Sequence, residues 1–478
     1  MNRILWGVLW FSVFLITACS PVYRHPNLGA IYNGFAQHED PHRNPIIVIP
    51  GLMGSRLMER ETGKIVWGAF GLGQIDPNTP EGARLFALPI HPEKMPEGSL
   101  RTVAPDGSLD RFLVNFLGYP MELNAYYNIL MALGVGGYRD QGLSDAGAID
   151  YGDDHFTCFQ FDYDWRRDIV ENARALEKFI QGKTHYVKNK IKRRYGIDKQ
   201  TIRFDIVAHS MGGLVARYFL RYGSADLPAD GSAPVPDWAG APYIENLIMI
   251  GTPNGGSLDS LVHLVEGYRP SFLLSKYSAT VLGTFPSLYQ MLPRGRHEAL
   301  LEPSGQPIDD IFDPEIWRQN SWGLANPENT DQLKIILPQI ETPVERRQIA
   351  LGYQATVLRQ ARQFTRAMDV PAQPPGTIHL LLVAGDAVPT RQTAKIKDTG
   401  FLEITAFGPG DGVVLRRSAL MDERQGATAF DRLISPISWH QTLFLFSDHL
   451  GLTKDPAFTD NILHFLLENP RPGQANPL

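Results

Sequence analysis

Four short runs along the chain are apolar at nearly every position: Ile46-Ile47-Val48-Ile49, Phe204-Asp205-Ile206-Val207-Ala208, Leu247-Ile248-Met249-Ile250 and Ile378-His379-Leu380-Leu381-Leu382-Val383. Each stops abruptly at or near a glycine or another small residue. A strand with one wet face alternates polar with apolar positions. A strand covered on both faces does not, so these runs predict central strands of a parallel sheet packed between helices. Between them the period changes. Ile169, Ala173, Leu176, Phe179, Ile180, Val187 and Ile191 recur at three, four or seven residues, which is one face of a helix. Asp168 stands ahead of that stretch, and Lys188, Lys190, Lys192, Arg193 and Arg194 crowd its end before Gly196. Acid first, base last and glycine just beyond is the order that a helix dipole favours. The basic cluster therefore reads as solvated helix-end charge rather than a head-group site. Strand and helix alternate, which predicts an α/β, doubly wound sheet with helices on both faces.

Two stretches fit this alternation poorly. Residues from about 56 to 118 are rich in Gly and Pro and carry Trp67, Phe70, Leu72 and Phe86. Residues from about 258 to 375 mix helical patches with Tyr268, Phe272, Tyr277, Phe285, Tyr289 and Trp317. Both are expected to be insertions lying over the strand ends. The chain shows no internal repeat and no low-complexity tract.

Composition narrows the partners. With 478 residues, 43% apolar and 20% charged, the chain can bury a substantial core. Its net charge of −6 argues against a general nucleic-acid binder, which needs a basic face. The first residues stand apart from the rest. Met1-Asn2-Arg3 is a short positive segment, and the apolar run from Ile4 to Ala18 is too short to span a bilayer but suits a secretory signal. Ile16-Thr17-Ala18-Cys19 resembles a bacterial lipoprotein signal, which implies lipid on Cys19. Ser20, rather than Asp, favours by the same resemblance the outer membrane, facing the periplasm.

The expected organisation is therefore a signal peptide over 1–18, a lipidated tether over 19–44, the folded domain over 45–465 and a tail over 466–478. The tether reading rests on Pro21, Pro26, Pro41 and Pro45 among scattered polar residues. With Cys19 lipidated, Cys158 has no partner. It lies in the apolar Phe156-Thr157-Cys158-Phe159 and reads as a small buried hydrophobe.

The strongest chemical signal is Ala208-His209-Ser210-Met211-Gly212-Gly213, directly after a strand and before Leu214-Val215-Ala216-Arg217-Tyr218-Phe219-Leu220. It departs from G-x-S-x-G only at its first position. That motif makes a tight strand-to-helix turn that pushes a strained serine into the open at the top of an α/β-hydrolase sheet. The flanking positions must be small because strand and helix backbones nearly touch, and Ala208 and Gly212 are. His209, next to the serine, is expected to pack locally.

A serine hydroxyl needs a base, and the base needs an orienting carboxylate. In this fold the order is Ser, then acid, then His. Asp411, between Gly410 and Gly412, is preferred as the acid, with Asp386 its competitor. His449 follows the apolar run Leu443-Phe444-Leu445-Phe446 and precedes an expected C-terminal helix around Phe458 to Leu467, so it is preferred over His440. Oxyanion donors are expected at the backbone N–H groups of Met211 and Leu52. Leu52 lies in the Pro50-Gly51-Leu52-Met53-Gly54-Ser55 loop after the first strand.

These segments are similar to the lecithin:cholesterol acyltransferase family, which includes lysosomal phospholipase A2 and bacterial relatives. The blocks that carry the resemblance run in order: Ile49 to Ser55, Phe161-Asp162-Tyr163-Asp164-Trp165-Arg166, Ala208 to Gly213, Gly251-Thr252-Pro253-Asn254-Gly255-Gly256-Ser257, Phe285 to Pro293, and Gly410-Asp411-Gly412-Val413-Val414. They spread from about residue 45 to 455. The resemblance implies an α/β-hydrolase fold with lid and cap insertions. It puts Ser210, Asp411 and His449 on a catalytic triad and Leu52 and Met211 on an oxyanion hole. It also makes 56–118 a lid bearing aromatics for membrane contact and 258–375 a cap. The implied substrate is a phospholipid or other lipid ester, the acceptor water or an alcohol, and no cofactor or metal is needed. Tyr163 to Arg166 is a family hallmark that we read as structural. Two features depart from the pattern: the animal members' disulfides cannot form here, and Val413 replaces a common Thr.

Three rival readings are weighed. His38-Glu39-Asp40-Pro41-His42 spells the H-E-x-x-H zinc pattern, but that site needs both histidines on one helix face, and Pro41 breaks such a helix. A non-catalytic envelope lipoprotein would keep the fold for binding alone. A serine peptidase of the same fold would share the triad.

Overall fold

The computed structural model describes residues 26–68, 75–90, 103–108, 111–116, 119–124, 126–270, 275–424 and 432–469. The expected signal peptide, Cys19, Phe70, Leu72, Phe272 and residues 470–478 lie outside the described residues.

The strands among the described residues are numbered β1 to β14 in chain order. β1 (Ile46–Ile49), β7 (Cys158–Gln160), β8 (Phe204–His209), β9 (Ile244–Ile250), β11 (His379–Gly385) and β14 (Gln441–Leu445) form the central sheet, in the order β14-β11-β9-β8-β1-β7. Every neighbouring pair in it is parallel. The four apolar runs of the sequence are β1, β8, β9 and β11. Their side chains alternate between two cores, as the pleat requires. Ile47, Ile49, Ile206 and Met249 point to one side, with α3 (Ile169–Tyr195) and α4 (Met211–Tyr222). Ile46, Val48, Val207 and Ile248 point to the other, with α2 (Tyr127–Val135) and α7 (Pro456–Leu463). The free Cys158 thiol is buried in this second core. Burial on both faces explains the absence of alternation in the sequence. This is the α/β-hydrolase architecture: a mostly parallel sheet with helices on both sides.

Helix α3 ends as its sequence predicts. The Asp168 carboxylate accepts the Val170 N–H at 2.7 Å, and Gly196 closes the helix in the left-handed region. Its basic end is largely paired: Arg194 meets Glu39 and Asp153, and Lys190 meets Asp154.

The inserted stretches differ from expectation. β2 (Ser55–Glu59), β3 (Ile65–Trp67) and β4 (Val103–Ser108) form a small antiparallel sheet, and β5 (Arg111–Phe116) pairs with β6 (Tyr119–Asn124). Trp67 and Phe86, expected to reach a membrane, are instead buried. They pack with Trp165, Tyr277 and Phe285 in one aromatic cluster. Large rings release most free energy when they leave water, and a core within reach takes them. Within 258–375, α5 (Leu258–Glu266) lines a cleft at the strand ends. The long α6 (Pro343–Asp369) packs instead along α4: Phe364 stacks on Tyr218, and Tyr222 donates to the Ala367 carbonyl. β10 (Leu300–Leu301), β12 (Val388–Ile396) and β13 (Leu402–Gly410) make a third sheet.

The stretch read as a tether contains α1 (Leu28–Gln37), which docks on the domain through the buried Tyr32. The Tyr32 hydroxyl reaches the Asp460 carbonyl at 3.0 Å. His38 to His42 lie beyond the end of α1, and Glu39 is taken up by Arg139 and Arg194. At the other end, His464–Glu468 continues α7, so Leu466 is buried structure rather than tail.

Tyr163 to Arg166 act as a strut. The Tyr163 hydroxyl donates to the Pro50 carbonyl at 2.7 Å, and the Trp165 indole N–H to Ser55 O at 3.0 Å. Arg166 grips Asp164 at 2.8 and 2.7 Å and donates to the Leu85 and Phe86 carbonyls. Both charges are buried. Arg166→Ala would leave the buried Asp164 carboxylate with the backbone N–H of residue 166 at 3.2 Å but no counter-charge, so it is expected to destabilise the fold by about 3–5 kcal/mol. Urea unfolding measures this, and a shift under about 1 kcal/mol would show that the pair is dispensable.

Candidate active site

Ser210 stands just ahead of α4 at the carboxyl end of β8, the third strand from one edge. Its backbone sits at φ 52°, ψ −127°, a region L-residues avoid. Two bonds hold it there: Ser210 N–H donates to Ile250 O at 2.7 Å, and Gly213 N–H donates to Ser210 O at 3.0 Å. Small neighbours are obligatory. A Cβ on Gly212 would fall 2.4 Å from the Pro50 carbonyl, and one on Gly213 would fall 2.0 Å from Thr252 Oγ1. The elbow geometry read from Ala208 to Gly213 is present.

His449 stands on the loop after β14. Its Nε2 lies 3.0 Å from Ser210 Oγ and its Nδ1 lies 2.8 Å from Asp411 Oδ2. Asp411 follows β13 in a turn. Its Oδ1 accepts the Val413 N–H at 2.9 Å and the Val414 N–H at 2.7 Å, which aims Oδ2 at the imidazole. Val413 serves through its backbone, so the loss of a threonine hydroxyl there costs this turn nothing. Asp386 pairs with Arg416 at 3.0 Å instead, and His440 accepts from Leu380 N–H. The structure brings Ser210, Asp411 and His449 together and leaves both competitors elsewhere.

Electrostatics follow the geometry. Burial raises the Asp411 carboxyl, but the His449 charge and hydrogen bond and the two backbone N–H groups outweigh it and hold it below its ordinary value. Burial lowers the His449 imidazole, and Asp411 reverses this, so its pKa lies above the ordinary histidine value. Nε2 is thus an acceptor for the serine proton when His449 is neutral, and the cation formed afterwards is stabilised by Asp411.

Met211 is the first residue of α4, where N–H groups have no partner within the helix. Leu52 borders the same cleft as Ser210, on the loop held by Tyr163. Gly51 lies against the serine, where a Cβ would come within 2.7 Å of Ser210 Cβ. The cleft encloses about 860 Å³ and is lined largely by apolar groups such as Met53, Trp67, Met291 and Leu450. On its wall Asp259 and Arg391 pair at 2.6 Å. His263, also on that wall, is held down to about 4 by burial and so stays neutral.

Sequence reasoning missed this pair and Tyr126, and it gave Gly251 no role of its own. A Cβ on Gly251 would sit 3.1 Å from both Asp411 Oδ2 and His449 Nδ1. Its place in Gly251 to Ser257 directly after a strand was the available signal. Nothing around Tyr126 marked it.

The sheet, the elbow and the cleft at the strand ends define a member of the α/β-hydrolase fold class. Within that class, the model of the lecithin:cholesterol acyltransferase family matches residues 147–322 of the chain. No curated protein matches the chain. Among solved structures, the Tle4–Tli4 complex is similar at 14% identity with a TM-score of 0.53, covering 89% of this chain and 98% of that one. EstA from Clostridium botulinum is 12% identical with a TM-score of 0.33, covering 89% and 87%. The mature Bacillus licheniformis lipase BlEst2 is 13% identical with a TM-score of 0.31, covering 90% and 95%.

Proposed function

We propose that this chain is a serine-dependent lipid ester hydrolase or O-acyltransferase that forms an acyl-enzyme on Ser210. The observation that carries it is the continuous contact Ser210 Oγ to His449 Nε2, 3.0 Å, and His449 Nδ1 to Asp411 Oδ2, 2.8 Å, at the floor of an apolar cleft. The family match over 147–322 supports an ester substrate. His449 takes the serine proton as Oγ attacks the ester carbonyl, and the N–H groups of Leu52 and Met211 receive the oxyanion. The imidazolium returns its proton to the leaving alkoxide. Water or an alcohol then attacks the acyl-enzyme by the same proton route.

A phospholipid or related lipid ester is the proposed substrate, since an apolar cleft of this size accepts acyl chains. Location belongs to the same reading: an exported protein, lipid-anchored through Cys19 to the bacterial cell envelope, probing a membrane surface from the periplasmic side. Loss of metabolic palmitate labelling on Cys19→Ala tests the anchor, and unchanged labelling overturns it.

The acceptor is read directly from products. With labelled phospholipid and a range of alcohols, protein carrying Cys19→Ala is expected to release fatty acid and to form alkyl esters where alcohol is present. Fatty acid alone at every alcohol concentration would remove the transferase half of the proposal. Turnover of peptides but not lipids would favour the peptidase.

A further inference from the structure

Three loops converge beneath the cleft: the one after β1 carrying Gly51 and Leu52, the elbow carrying His209 and Ser210, and the one after β14 carrying His449. Buried hydrogen bonds join all three. Gly51 N–H donates to Tyr126 Oη at 2.9 Å. The Tyr126 hydroxyl lies 3.4 Å from His209 Nδ1, and His209 Nε2 lies 3.0 Å from the His449 carbonyl. A carbonyl only accepts, so Nε2 carries the His209 proton. Nδ1 is then bare and receives the Tyr126 O–H. The direction of every bond in the chain is therefore determined: Gly51 N–H to Tyr126, Tyr126 to His209, His209 to the backbone of His449.

The environment keeps it so. His209 and Tyr126 are both buried. Burial and the neighbouring His449 bring His209 down to about 3, so it is neutral at neutral pH. Burial pushes Tyr126 up to about 12, so its proton stays on. The loop after β1 is packed onto the hydroxyl, since a Cβ on Gly54 would come within 2.6 Å of Tyr126 Oη. The two rings meet edge to face at 5.5 Å, and the His209 ring lies 4.7 Å from that of His449.

We propose that Tyr126 and His209 are positioning residues that lock the oxyanion loop and the histidine loop in one register around Ser210. Neither side chain takes part in the proton transfers. One end of the chain adjoins the Leu52 donor and the other is the main chain of the base, so the distance between donor and base is set through His209 and Tyr126. This rests on the proposed roles of Ser210, His449 and Leu52.

Tyr126→Phe deletes the hydroxyl and keeps the ring. It is expected to slow both turnover of a soluble p-nitrophenyl ester and labelling by a fluorophosphonate by about 10–100-fold, because misplacement of reacting groups on the ångström scale has that effect. KM should hold, and the final stoichiometry of label should equal that of the unaltered protein. Full stoichiometry at a reduced rate is a signature that partial misfolding does not give, since misfolding lowers the labelled fraction. His209→Ala should slow the reaction similarly. The double variant should lose no more than the worse single, because both cut one chain.

Two outcomes overturn the proposal: a labelling rate within twofold of normal for Tyr126→Phe, or losses that multiply in the double variant. If the unaltered protein, intact by circular dichroism, takes no label at all, the reading of Ser210 fails and the positioning role goes with it. Label on the unaltered protein with an unaffected Tyr126→Phe removes the positioning role alone.

Discussion

Ser210→Ala is expected to abolish ester turnover, with a loss of about 10⁶ in kcat, the size seen when the nucleophile of a cooperating triad is removed. The fold should survive. The Ser210 side chain bonds His449 and caps nothing in α4. The backbone strain at φ 52° is the same for alanine, so unfolding midpoints should coincide within error. Labelling by a fluorophosphonate should vanish as well. A binding protein that only borrows the fold would show neither change, because it would react with no such probe beforehand. Steady-state hydrolysis of a chromogenic ester is the deciding measurement. Turnover within tenfold of normal in Ser210→Ala would end the covalent mechanism.

The second large effect is expected from Asp411→Asn. Asp411 Oδ1 is occupied by the Val413 and Val414 N–H groups, so the carbonyl oxygen of an asparagine would take that place. The asparagine NH₂ would then face His449 Nδ1 and donate to it. The imidazole would be forced to carry its proton on Nε2, pointing at the serine it is meant to deprotonate. A wrong tautomer of this kind lowers kcat by about 10⁴ in a Ser-His-Asp enzyme.

The pH profile gives an independent reading. His449 acts as a base only when neutral, and Asp411 raises its pKa, so kcat/KM should climb with pH through a midpoint above about 6.5, the ordinary histidine value. In Asp411→Asn the largest raising influence is gone, and Asp259 and Asp448 alone oppose burial, so the residual activity should titrate at a lower pH than that of the unaltered protein. A midpoint unmoved by the substitution would mean that another group governs the limb. Stability responds with the opposite sign for the two partners. The raised His449 contributes below its unfolded pKa and loses this as pH rises through its folded value. The lowered Asp411 contributes above its unfolded pKa and loses this as pH falls through its folded value.

What could be read from the sequence was whatever local chemistry dictates. β1, β8, β9 and β11 announce themselves because burial on both faces forbids polar alternation. Ser210 does so because an elbow admits only small flanking residues, and α3 because its caps are local. Asp411 and His449 were found from their order after the serine and their places at strand ends. Other features depend on contacts between distant segments. Trp67 and Phe86 look alike in sequence whether they meet lipid or a core, and the neighbours that decide it, Trp165 and Phe285, are far along the chain. β7 is three residues long, too short to display a period. α1 was hidden by the prolines around it, and α6 gave no hint that it would lie beside α4. Tyr126 acquires meaning only when Gly51 and His209 are brought to either side of it.

The docking of α1 bears on how the protein is handled. Tyr32 near the start of the chain is clasped to Asp460 near its close, and α1 also lies against α2. A soluble version for crystallisation should accordingly be cut ahead of Asn27, whose side chain caps α1. Trimming to residue 45, ahead of the first strand, would uncover the faces of α2 and α7 against which α1 packs and hand the purifier a sticky protein.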